Sequence, residues 1–332
     1  MNRTKWMRSG AMALVAVMVF SVFAGCGGGG SKDPKTSVKP EDQTTTIVES
    51  RFQQATVNLD GVDTDEVWAS IEPVTVNLES SVTFDMKTFY DDDNIYFLFK
   101  WIDLDEGPVS TLGEWFKTAE GTWNWKFESD GFSVCWDVSK VPNFNTEACT
   151  PLCHDQPTDR NRRYMGTDNP QDLQEFWNWS PGVTNAKGIM APYLWVALES
   201  GVTVDDPGFD NKVTWAHLDG EYGFYHNRAK EEIAPADQIS GDSAPLWILK
   251  DVEASGDAAL VKAFGLFDYG QYTLEVSRPR NPSNRDLHKF DVAENGWADI
   301  LFAAAIFHNN ERDNKKVMKE AATLRMVGKN VQ

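Results

Sequence analysis

The chain has 332 residues, with 31 Lys and Arg against 50 Asp and Glu and a formal charge of −19 at pH 7. Loss of a basic start carrying Arg3, Lys5 and Arg8 takes the charge to −22, a field that repels nucleic acid and anionic lipid and favours a cationic partner. Thirteen Trp and 19 Phe supply enough apolar surface for one large or two small cores.

Residues 1–25 predict a lipoprotein signal peptide: basic residues, then the apolar run AMALVAVMVFSVFA, too short to span a bilayer, then a small-residue cleavage site. The ending VFAGC resembles a bacterial lipobox, although Phe23 stands where a small aliphatic residue is commoner. Cys26 is then the lipidated first residue; ordinary secretory cleavage, leaving Cys26 a plain thiol, is the alternative. Residues 26–47, rich in Gly, Ser, Thr and Pro and without aromatic residues, predict a flexible tether. Gly27 and Gly28 after the cysteine favour sorting to the outer membrane, so the expected location is the periplasmic face or cell surface of a bacterium. No later segment is apolar for long enough to be a transmembrane helix.

From residue 48 to about 328 the chain predicts a folded domain. Val74, Val76 and Leu78, then Val82, Phe84 and Met86, and later Tyr272, Leu274 and Val276, alternate with polar residues as strands with one face in a core. IYFLFKWI, residues 95–102, is apolar at nearly every position, as in a central strand covered on both faces. FYDDDN before it predicts a hairpin turn. Helical periodicity is scarce, with short candidates near 112–118 and 170–177. The expectation is an all-β, antiparallel two-sheet sandwich with long loops and a few short helices, interrupted by a loop-rich insertion around 140–245.

That insertion contains ACTPLCHDQP, which places Cys149, Cys153 and His154 within six positions. Covalent c-type haem attachment needs two thiols to add to the porphyrin vinyl groups and an imidazole directly after the second thiol to reach the iron. CTPLCH supplies them with one residue more than the common C-x-x-C-H, and a loop through Pro151 can absorb it. A Cys149–Cys153 disulfide is a second possibility, closing so small a ring that it stabilises the fold little. Zinc is a third and the weakest, because Cys153 and His154 are adjacent and no second ligand pair follows at zinc spacing. The sequence holds no G-x-S-x-G, no H-E-x-x-H and no phosphate-cradling glycine loop, so no catalytic machinery of those kinds is expected.

VNLDGVDTDEVWASIEPVTV and FDMKTFYDDDNIYFLFKWIDLDEG, through Asp60, Gly61, Asp65, Trp68, Tyr90, Tyr96, Trp101 and Asp103, resemble the opening of the ethylbenzene-dehydrogenase-related haem-binding domain. The likeness continues at DGFSVCWDVS, at DLQEFWNWSPG and through YGQYTLEVSRPR to the C-terminal strands, spanning roughly 54–326. It implies a β-sandwich that binds haem and passes single electrons without turnover of its own. Some relatives serve as the haem b subunit beside a molybdenum catalytic subunit, and others carry covalent haem. In haem b members a methionine and a lysine hold the iron. The Cys149, Cys153, His154 segment departs from that pattern and moves the expectation to c-type haem, with His154 as the proximal ligand. A redox partner with a basic docking surface would suit the acidic chain.

For the sixth ligand Met165, Met190, His217, His226 and His308 are candidates, and the family lysine corresponds loosely to Lys315 or Lys316. Each has a surface or core alternative. Phe132, Val134 and Trp136 share one strand face; Cys135 lies on the other, as a buried inert thiol or facing the haem. Trp177 and Trp179, with Trp123 and Trp125, either pack the core, wall a haem pocket or stack on sugar rings. The last option belongs to a rival expectation, a carbohydrate-binding sandwich of the family 9 type with a disulfide at 149 and 153. The acidic turns 91–94, 103–106 and 204–210 lack EF-hand spacing and are expected to be solvated rather than calcium-binding.

Overall fold

Where apolar and polar side chains alternate, a computed structural model shows strand after strand. It describes residues 46–103, 114–126, 130–147, 172–195, 230–232, 243–245, 247–249, 256–307 and 315–331, all within the compact unit Thr44–Gln332. Cys26 with the signal peptide, the tether up to residue 45, and Cys149, Cys153, His154, Met165, His217, His226 and His308 lie outside the described residues.

The main sheet has twelve strands: β1 Ile47–Phe52, β2 Val74–Asn77, β3 Thr83–Tyr90, β4 Asn94–Ile102, β7 Gly131–Asp137, β8 Gln174–Trp179, β9 Ala191–Trp195, β13 Lys262–Asp268, β14 Gln271–Pro279, β15 Trp297–Phe307, β16 Lys315–Val317 and β17 Ala322–Val327. Five short strands make two small sheets: β5 Glu114–Lys117 with β6 Trp123–Lys126 and β11 Ser243–Pro245, and β10 Lys230–Glu232 with β12 Trp247–Leu249. The described α-helices are single turns, α1 Glu66–Ala69 and α2 Phe144–Glu147.

The strand order β13-β14-β4-β3-β1-β17-β15-β7-β8-β9 makes one continuous sheet, with β1 parallel to both of its neighbours, β17 and β3, and the other pairings antiparallel. The halves on either side of β1 curl over and face each other through Phe84 and Phe132 (ring centroids 5.3 Å apart), Phe97 and Trp136 (5.4 Å) and Trp101 and Trp179 (5.9 Å). The mainly β class therefore holds, while the expected pair of separate antiparallel sheets is corrected to a single, strongly curled mixed sheet. The physical reason is β1: by donating and accepting on both edges it pairs two edges that a sandwich would leave unpaired.

At the far ends of the order the curl nearly closes. Ile189 bridges Lys262, the Met190 N–H donates to Val261 O at 3.0 Å, and the Ala263 N–H donates to Gly188 O at 3.1 Å. Asn185 fastens this seam: its Oδ1 accepts from the Gly265 N–H (2.7 Å) and the Trp179 indole (3.1 Å), while its Nδ2 donates to Gly265 O (2.9 Å). Position 265 must be glycine, because a Cβ there would overlap the Trp179 ring. The ring is fully buried against Trp101 and Tyr272 and has nowhere to go. Gly265→Ala is expected to lower stability by about 1–3 kcal/mol, the cost of overpacking a core, read as a shift in urea midpoint.

Two expectations of helix are corrected. Residues 114–117 and 174–179 are strands, and in β8 Glu175, Trp177 and Trp179 alternate inward with period two. So the stretch 140–245 also supplies β8 and β9 to the main sheet.

Candidate functional site

The motif residues that open the chain build a latch. Glu275 on β14 is fully buried; its Oε2 accepts from the Asp60 and Gly61 N–H groups (3.0 and 2.9 Å) and its Oε1 from the Trp68 indole (2.8 Å). Burial raises the Glu275 carboxyl above its ordinary value, against the pull of those donors. Gly61 has φ +76°, and a Cβ there would meet Leu266 N at 2.7 Å, so the DG turn needs its glycine. In the FYDDDN turn Asp91 Oδ1 accepts from the Asp93 and Asn94 N–H groups and its Oδ2 from the Tyr96 hydroxyl, as a turn carboxylate does. Tyr90 and Trp101 are buried, the Tyr90 hydroxyl donating to Val327 O at 2.6 Å. These residues hold the fold.

β7 is buried along its whole length, and β8 at Gln174 and at its inward residues Glu175, Trp177 and Trp179. Inward lie Phe132, Val134 and Trp136 from β7 with Glu175, Trp177 and Trp179 from β8. Glu175 accepts three hydrogen bonds in the interior: from Arg278 Nη2 (2.8 Å), from the Trp177 indole (2.6 Å) and from the His288 N–H (2.7 Å). Both side chains of the Glu175–Arg278 ion pair are wholly removed from solvent. The Arg278 guanidinium lies 5.0 Å from the Phe290 ring centroid and 5.6 Å from that of Trp177, so aromatic faces replace part of its lost hydration.

His288 is a residue that the pattern of the sequence does not single out, since it sits in the loop after β14 without periodicity or ligand spacing. Burial and the neighbouring Arg278 charge push its imidazole down to about 3. The folded chain thus keeps it neutral where an unfolded imidazole, near 6.5, takes up a proton. In that window the unfolded state binds one more proton, so stability falls as the pH drops below 6.5 towards 3, by up to about 1.4 kcal/mol per pH unit from this group. His288→Gln is expected to flatten that slope in urea midpoints measured across the window; an unaltered slope would put the imidazole in water.

On the outward face Ser133 and Cys135 of β7 lie opposite Ala305 and Ala303 of β15, and on the other side opposite Asn178 and Phe176 of β8. Ser133, Cys135, Ala303 and Ala305 are all small, and all four are buried. The Cys135 thiol donates to Gln174 Oε1 at 3.1 Å and the Ser133 hydroxyl to Asn178 Oδ1 at 2.9 Å. Gln174 Nε2, fully enclosed on the same face, has no hydrogen-bond partner among the described residues.

In the sequence, Cys149, Cys153 and His154 fall between α2 and β8. On one side is α2, where Phe144 is buried and Asn145 O accepts from the Ala321 N–H at 3.2 Å. On the other, β8 begins with Gln174 paired to Asp137. Lys316, with Lys315 before it in β16, pairs with Ile306 opposite Phe132, five residues away along β7 or about 17 Å. Met190 is a core residue, wholly buried. Trp177 and Trp179 are likewise enclosed in the core and present no platform for sugar rings, while Trp123 on β6 is half-buried beneath Lys117 (5.6 Å). Among the described residues there is no group of three His, Cys, Asp or Glu placed to hold a metal ion, and no helix long and apolar enough to cross a membrane.

Carbohydrate-binding modules of family 9 from Caldicellulosiruptor kristjanssonii, solved with cellotriose and with glucose, are similar at 10% identity. They cover 85% of this chain and 94% and 96% of theirs, with TM-scores of 0.34 and 0.35. No curated protein matches. A family model described as ethylbenzene dehydrogenase matches residues 65–317, from the turn before α1 through the end of β16. That domain occurs in haem-binding subunits of molybdenum oxidoreductases, among them the γ subunit of ethylbenzene dehydrogenase. With Trp68 and Glu275 of the latch, the β7–β8 pair and β13 to β16 inside the matched span, this chain belongs to the ethylbenzene dehydrogenase family.

Proposed function

We propose that the chain is an electron-transfer lipoprotein carrying one covalent c-type haem, with thioethers at Cys149 and Cys153 and His154 on the iron. The observation that carries this reading is the pair of thiols with an imidazole directly after the second, inside the span of a haem-binding family. In the sequence these three residues fall between α2 and β8, the strand that pairs with β7.

The residues of the outward face fit the group. Ser133, Cys135, Ala303 and Ala305 are small, so a porphyrin taking the place of what now covers them would meet no bulky side chain at these positions, and the Gln174 Nε2, without a partner among the described residues, would supply a donor for a polar edge. When bound, the haem supplies a one-electron Fe(III)/Fe(II) couple. What the protein contributes is exclusion of water by the enclosed face, orientation by two covalent anchors, and a neutral imidazole at residue 154. The surplus of acid suits steering to a basic redox partner, and association with a molybdenum oxidoreductase follows the family. Cys26, once acylated, would hold the chain to the membrane at the periplasmic face or cell surface through the 26–47 tether.

The test is a pyridine haemochrome spectrum of the mature chain together with a haem-stained denaturing gel. A c-type spectrum and a stain that survives denaturation are expected. A colourless chain whose mass shows only lipid overturns the reading.

A further inference from the structure

The inward faces of β4, β7, β8 and β14 hold a run of oxidisable rings that the proposed haem site does not use. Trp136 and Trp177 lie 5.1 Å apart between ring centroids. Trp177 and Trp179 are alternate residues on one face of β8, about 6.8 Å apart along the strand. Trp179 then meets Trp101 at 5.9 Å and Tyr272 at 5.7 Å, and Trp101 stacks on Tyr272 at 5.0 Å with planes 23° apart. All five rings are 2% exposed or less.

The run ends on a hydrogen bond suited to move a proton. The Tyr272 hydroxyl donates to Asp130 Oδ2 at 2.6 Å, and Asp130 is itself buried. Of the other described buried tyrosines, Tyr90 donates to a backbone carbonyl, which cannot take up a proton, and Tyr96 donates to Asp91 Oδ2 at 2.9 Å but stacks on Phe89 in a separate cluster, away from the indole run. Burial and the Asp130 charge raise the Tyr272 phenol well above its ordinary value, so it keeps its proton until an electron has left. A buried phenol that lost only an electron would become an unsolvated cation; a short bond to a carboxylate removes that cost.

We infer that Trp136, Trp177, Trp179, Trp101 and Tyr272 form a one-electron relay across the core, terminating in proton-coupled oxidation of Tyr272 by way of Asp130. An outer-sphere one-electron oxidant removes one electron from Tyr272 through the indoles. The phenolic O–H bond breaks, its proton forms an O–H bond on the Asp130 carboxylate, and a neutral tyrosyl radical remains. One electron returned from a reductant, with the proton passing back, restores both groups. The relay does not depend on the haem, and it supplies a path by which oxidising equivalents cross from the β7–β8 end to the opposite end of the sheet.

Flash-quench oxidation with photogenerated tris(bipyridine)ruthenium(III) tests it on the full mature chain, with any haem held ferric, followed by electron paramagnetic resonance. A neutral tyrosyl signal is expected, forming more slowly in D2O. Tyr272→Phe, which keeps the ring stack, is expected to abolish that signal and leave an indolyl radical. Asp130→Asn should slow tyrosyl formation by about a hundredfold, the lower end of what a positioned proton acceptor contributes. A tyrosyl signal retained in Tyr272→Phe, a rate indifferent to Asp130→Asn, or no protein radical at all overturns the inference. A colourless chain that still forms the Tyr272 radical separates failure of the haem reading from failure of the relay.

Discussion

Serine at both 149 and 153 is expected to abolish haem staining of the denatured chain entirely. A thioether forms only where a thiol adds to a vinyl group, and a hydroxyl does not replace it, so the effect is all or none. Haem retained without a covalent link by the double variant, as a b-type spectrum lost on acid-acetone extraction, would show that the binding face is preformed and that the thiols only secure it. The single variants are expected to keep one thioether and stain. His154→Ala is expected to shift the Soret band while the stain survives, since the imidazole meets the iron and not the porphyrin edge. Absence of stain in the unaltered chain would favour a disulfide between Cys149 and Cys153, which a mass gain of two hydrogen atoms on reduction would reveal.

The second large effect is expected at Glu175. Glu175→Ala leaves a buried guanidinium, an indole N–H and a backbone N–H without their shared acceptor. Removing one partner of a buried ion pair costs about 3–5 kcal/mol, because the surviving charge is neither paired nor hydrated. Against a total stability of about 5–15 kcal/mol, that brings the domain close to unfolding at ordinary temperature. The measurement is the urea midpoint, with the slope compared to check that unfolding remains two-state. The double variant Glu175→Leu with Arg278→Met is expected to recover much of the loss, since both charges then go together. If Glu175→Ala unfolded no more easily than the parent, water would have to reach Arg278, contrary to its complete enclosure.

Strands with clean alternation were legible in the sequence: β2, β3 and β14 show it, and β4 is apolar on both faces because Phe97, Phe99 and Trp101 enter the main core while Tyr96 and Leu98 pack on the other side with Trp68 and Phe89. The Asp-rich hairpin was legible for the same reason, since turn chemistry is local. β8 was not. In QEFWNW the inward residues include a charged Glu175 and the outward ones a Phe176, so polarity does not track facing until the buried Arg278 partner is known. β1 was also hidden in its role, because its partners lie near residues 89 and 323, and no local pattern tells a bridging parallel strand from an ordinary edge. At the site, Cys149, Cys153 and His154 stand out through spacing alone. Glu175, Arg278 and His288 do not, since their meeting is made by register between β8, β14 and the loop beyond.

The parallel placement of β1 has a mechanical consequence. Its residues Ile47–Arg51 run beside Thr323–Val327, and Arg51 and Phe52 beside Phe89 and Tyr90. A pull on the chain at Thr46, directed along the strand, loads these bonds together in shear and on two sides, so they cannot open one after another as in a peeled hairpin. Rupture then demands that the whole strand slide at once, so tension entering from the N-terminal side meets a seam loaded in shear rather than one that peels.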